Sequence, residues 1–144
     1  MTLTLILLNN GENMGRLLKD KCDPITLSPL TLAFVGDGVF DLMVRERLVC
    51  AANAPVGSLN QKKVGAVCCK SQAEIMQQLM PILTDEELSV FKRGRNAHTS
   101  HTPKNATNSQ YHSATGFEAL WGYIYLKGDI DRLNELFEKS GVFE

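Results

Sequence analysis

Two carboxylates stand where carboxylates are costly. In "LAFVGDGVFDLMVRERL" (residues 32–48), Asp37 lies between two glycines in the most apolar part of the chain. In "ATGFEALWGYIYL" (residues 114–126), Glu118 stands alone among Phe117, Leu120, Trp121 and Ile124. An ionised carboxylate withdrawn from water needs a cation or several donors to offset its desolvation. Asp41 and Arg45 follow Asp37 at i+4 and i+8, so one helix face carries all three. Taken singly, each acid reads as half of an internal ion pair, with Arg45 the obvious partner. Taken together, two isolated acids on glycine-flanked apolar helices favour a divalent-cation site. Few oxygen ligands, completed by water, suit Mg²⁺, with Mn²⁺ as its substitute. Gly36, Gly38 and Gly122 are small enough to let the two helices approach closely beside the acids.

The chain's charge is unevenly spread. The formal net charge is only −1, yet residues 88–117 contain no Asp or Glu. That window holds Lys92, Arg93, Arg95 and Lys104 with His98, His101 and His112, a face suited to an anion. A carboxylate-held Mg²⁺ beside a basic loop points to phosphodiester chemistry on nucleic acid. The four cysteines (Cys22, Cys50, Cys68, Cys69) lack metal-site spacing and read as reduced, mostly buried thiols of a cytoplasmic protein. The opening "MTLTLILLNN" has no basic flank or cleavage site, and no segment reaches the ~18 apolar residues of a membrane span.

To position the acids, the pattern predicts an all-α domain over residues 28–144, after a weakly structured extension over 1–27. A short helix is expected around residues 14–19. Ser28 then Pro29 predicts a helix start, and the apolar residues that follow, covering most of the circumference, predict a central, buried helix over residues 29–50. Further helices are expected at 58–67, 70–79, 85–95, 109–127 and 129–139. Thr84 with Glu87 forms a capping box for the one at 85–95. "GRNAHTSHTPKNATNSQ" (residues 94–110) reads as a long functional loop.

The two acidic segments resemble the signature motifs of the ribonuclease III catalytic domain. More specifically, the chain resembles the short branch of that family without a separate double-stranded-RNA-binding domain. Gly36-Asp37-Gly38, "KSQA" (residues 70–73), "RGRNA" (93–97), "PKN" (103–105) and "TGFEALWGYIYL" (115–126) occur in register. The resemblance implies a helical bundle forming a two-fold dimer and Mg²⁺-dependent cleavage of double-stranded RNA to 5′-phosphate products. It also implies precursor large-subunit (23S) ribosomal RNA as the substrate. It places Asp37 and Glu118 on the family's core metal-binding acids. Three further acids of the longer enzymes are replaced here by Leu30, Ala33 and Thr115, a thinner ligand set to which Asp41 can add.

A catalytic domain without an RNA-binding partner domain must grip its own duplex, largely through phosphates. Arg95, Asn96, Lys104 and Asn105 are the candidates, with Lys70 and Gln72 adding contacts from the preceding helix. The alternative is a catalytically silent module of the same fold that binds RNA or ribosomal proteins. The presence of both acids favours the enzyme.

Overall fold

The computed structural model describes residues 15–97, 104 and 106–144. The opening apolar decapeptide, His98, His101 and Asn105 lie outside the described residues. Among the described residues six α-helices follow one another: α1 (Pro29–Ala51), α2 (Val56–Val67), α3 (Cys69–Leu79), α4 (Asp85–Arg95), α5 (Asn108–Lys127) and α6 (Ile130–Lys139). No strand occurs among the described residues. Among them, too, no helix is long and apolar enough to cross a membrane.

Local chemistry sets the helix ends. Ser28 caps α1 by accepting from the Thr31 amide, with Pro29 in the first turn. Thr84 and Glu87 close the expected capping box on α4. Thr107 and Gln110 form a second one on α5, which advances its start to Asn108. Gly128 ends α5 in the left-handed region at φ 83°, where glycine carries no Cβ penalty.

Three expectations are corrected. No helix forms over residues 15–19. The chain there is irregular up to a single 3₁₀ turn, Pro24–Thr26, capped by Asp23. The central helix is α5, which buries ten consecutive-region residues including Phe117, Leu120, Trp121 and Ile124. Helix α1 buries only one stripe, Leu32, Ala33, Gly36, Phe40, Val44 and Leu48, and turns a second apolar face outward. Phe34 is 83% exposed and Leu42 48%. The cysteines are unpaired, as expected, but Cys22, Cys50 and Cys68 are exposed and Cys69 is half-buried.

The core between α1, α5 and α6 is aromatic. Phe40 meets Phe117 edge-on at 4.9 Å, and Phe117 stacks on Trp121 at 4.8 Å. Every one of these rings is fully buried. Their packing holds α1 against α5, the two helices that carry the acids.

Candidate active site

Helices α1 and α5 touch backbone to backbone. A Cβ built on Gly36 would fall 1.7 Å from the Glu118 carbonyl oxygen, and one on Gly122 would fall 2.0 Å from that of Leu32. Only glycine permits this approach. Asp37 follows Gly36 directly, so the crossing that excludes side chains brings the two acids together. Gly38 has nothing within 4 Å of a notional Cβ, so it takes no part in the crossing. A second close crossing involves α4, where Gly94 lies against Gly116 and Ala119. The basic last turn of α4 therefore lies beside the turn of α5 that bears Glu118.

The two acids are not equally buried. Asp37 is exposed, contrary to its apolar sequence surroundings, because it projects from the rim of the crossing. Glu118 is half-buried, and burial together with the nearby charge of Asp37 raises its carboxyl to about 7. Among the described residues neither acid has an ion pair. Arg45, the expected internal partner, instead binds Asp41 at 2.6 Å, and Lys63 of α2 lies 3.4 Å from the same carboxylate.

Glu87 shows how this protein treats a purely structural buried carboxylate. It is 6% exposed and accepts hydrogen bonds of 2.9 and 2.7 Å from Arg132. Burial pushes its carboxyl up, but those bonds and the Thr84 cap bring it below its ordinary value. Glu118 has the desolvation without the compensating cation. That contrast distinguishes a site from a scaffold.

Helix α3 supplies the floor. Gln72 is 1% exposed and faces Glu118, so it is not an RNA contact; burial withdraws it from any phosphate. The sequence held the signal, since Gln72 falls in register with Ile75, Met76 and Leu79 on the buried stripe of α3. Cys69, one turn earlier, is also close enough for the Glu118 charge to act on it; burial and that charge raise its thiol. Lys70 is exposed on the same helix. Of the remaining RNA candidates, Arg95 is half-buried with its guanidinium 5.5 Å from the Phe91 ring, and Asn96 and Lys104 are exposed. Lys92, Arg93 and Arg95 also sit in the last turn of α4, where cations complement the helix dipole.

The donor set fits a hard divalent cation. The charge of Asp37 raises the Glu118 carboxyl, and no ion pair to either acid offsets it among the described residues. Among the described residues no group of three His, Cys, Asp or Glu side chains is gathered to hold a metal. Two carboxylates acting as ligands would leave positions for water and substrate oxygens, an arrangement compatible with Mg²⁺ rather than with a fully protein-caged ion.

Residues 30–129 match the family model described as the ribonuclease III domain. A Mini-ribonuclease 3 of Thermoanaerobacter sp. is 43% identical over 129 residues, covering 90% of this chain and 89% of the relative. A Mini-ribonuclease 3 of Symbiobacterium thermophilum is also 43% identical, over 84% of this chain and 93% of the relative. The crystal structure of a Fusobacterium nucleatum protein superposes with a TM-score of 0.73 at 27% identity, over 78% of this chain and 90% of that one. With both acidic motifs inside the matched span, the chain belongs to the ribonuclease III domain family, alongside the Mini-ribonuclease 3 proteins.

Proposed function

We propose that this protein is an endoribonuclease that hydrolyses double-stranded RNA, and that precursor 23S ribosomal RNA in the cytoplasm is its substrate. The observation that carries the reading is the unpaired Asp37–Glu118 couple at the glycine crossing, within a family whose name denotes the activity. Asp37 and Glu118 would hold the Mg²⁺ ion, which when bound activates water and stabilises charge on the phosphate. Water adds to phosphorus as the bond to the 3′ oxygen breaks, leaving a 5′-phosphate and a 3′-hydroxyl. The chain's own part is to place both acids on rigid helices, keep Glu118 out of bulk water, and hold the duplex across the rim where Asp37 is exposed. Asp41 contributes through its tie to Lys63, which joins the outer face of α1 to α2. The direct test is incubation of the protein with a long RNA duplex, with and without Mg²⁺. Absence of any Mg²⁺-dependent cut would overturn the proposal.

The outward apolar face of α1 supports a two-fold homodimer. Phe34, Val35, Val39 and Leu42 line one groove with Leu17 and Tyr125. A second copy covering this groove would supply the second site that a two-stranded substrate requires. Burying one phenylalanine is worth about 1.5–3 kcal/mol, and two-fold symmetry counts it twice. Phe34→Glu is therefore expected to weaken self-association by at least about a hundredfold. Sedimentation at micromolar concentration reads the result. An unchanged dimer in this variant would remove the groove from the interface.

The RNA grip is assigned to the end of α4 and the loop beyond it, through Arg95, Asn96, Lys104 and Asn105, with Lys70 from α3. Arg95→Ala and Lys104→Ala are each expected to weaken duplex binding and to reduce the slope of log affinity against log salt by about one unit. Metal binding should be unaffected. If both slopes equal the wild-type value, these cations serve the helix and another basic face holds the RNA.

A further inference from the structure

Gln72 is the most deeply buried polar side chain near the site, and it is incompletely satisfied. The residue is 1% exposed, and its amide nitrogen is sealed from solvent without an acceptor in good geometry. A buried amide left in this state costs stability. The neighbouring positions on its stripe, Ile75, Met76 and Leu79, are apolar and fully packed, so an apolar side chain would suit the position as far as stability is concerned. The carboxylate it faces is Glu118.

We propose that Gln72 is a positioning residue: its buried, unpartnered amide beside Glu118 holds that carboxylate in one orientation for a divalent cation. This rests on the assignment of Asp37 and Glu118 as the cation's ligands. A carboxylate gripped on one oxygen by a rigid donor presents the other oxygen in a defined direction. Partners of this kind outside the ligands themselves are worth about 10- to 100-fold in metal affinity or activity. Helix α3 would then do more than close the core, since it would carry the residue that aims the second acid.

The test is direct Mn²⁺ binding by calorimetry on the purified protein, without RNA, for wild type, Gln72→Met, Glu118→Gln and the double variant. Methionine keeps the length and volume of the side chain and removes the donor. Gln72→Met is expected to bind Mn²⁺ about tenfold or more weakly, to melt at or above the wild-type temperature in the absence of metal, and to bind duplex RNA normally without metal. In the Glu118→Gln background it should change nothing further. Equal Mn²⁺ affinity in wild type and Gln72→Met overturns the proposal and leaves the two acids as ligands. A Gln72→Met protein that melts well below wild type makes Gln72 a packing residue and also overturns it. If wild type and Glu118→Gln bind Mn²⁺ identically, the ligand assignment itself fails, and the role of Gln72 fails with it.

Discussion

Replacing Asp37 with asparagine or Glu118 with glutamine is expected to lower the rate of duplex cleavage by at least about a thousandfold, equivalent to roughly 4 kcal/mol of lost transition-state stabilisation. The amides keep the shape of the crossing and remove the charge that balances a divalent cation. The fold should survive, and for Glu118→Gln it should become more stable when no metal is present. The carboxyl of Glu118 is raised from its ordinary value to about 7, so the folded state holds a proton that the unfolded chain releases near 4.5. Stability without metal therefore falls as pH rises from about 4.5 to about 7, and the deficit is complete above that. Its size is on the order of 3 kcal/mol at pH 8. Glutamine removes it, so the variant should melt several degrees higher at pH 8 and no higher at pH 4.5. Saturating Mg²⁺ should reverse the order by stabilising wild type alone. Thermal melts at both pH values, with and without Mg²⁺, measure this. Near wild-type cleavage by either variant would remove that acid from the site.

The second large effect is structural. Gly36→Ala or Gly122→Ala would drive a methyl group to 1.7 or 2.0 Å from a backbone carbonyl oxygen of the facing helix. No side-chain rotation relieves a clash with backbone, so α1 and α5 must separate and open the aromatic core between them. The expected loss exceeds about 4 kcal/mol, a large share of a typical domain's 5–15 kcal/mol. Either variant should be unfolded or insoluble. Gly65 is the control, because a Cβ there meets nothing within 4 Å in the interior of α2. Gly65→Ala should be neutral or gain about 0.5–1 kcal/mol from helix propensity. Urea unfolding of all three ranks them, and a well-folded Gly36→Ala protein would mean that the helices can cross without backbone contact.

Helix α4 was legible to the residue because its determinants are local. Thr84, Glu87 and the sign change from Asp85–Glu86 to Arg93–Arg95 all act within three turns. The same holds for the start of α1, where Ser28 and Pro29 need no partner beyond Thr31. Asp37 and Glu118 also stood out by sequence, as lone acids among apolar residues, and the glycines at 36 and 122 announced that two helices meet closely. These are properties of residue type and short spacing, and the chain determines them without reference to its fold.

Tertiary structure decided which face each helix buries and which partner each charge receives. The apolar circumference of α1 could not reveal that Phe34 would be left outside, because the exposed stripe is chemically the same as the buried one. Arg45 took Asp41, one turn away on its own helix, as local spacing allows, but Lys63, distant in sequence, joined it on that carboxylate only through the packing of α2 on α1. Gln72 read as a polar surface residue until α3 packed beneath α5 and turned it onto Glu118. The raised carboxyl of Glu118 has the same origin. Burial depth and the Asp37 charge are properties of the crossing, set by contacts between segments some eighty residues apart, and no window of sequence contains them.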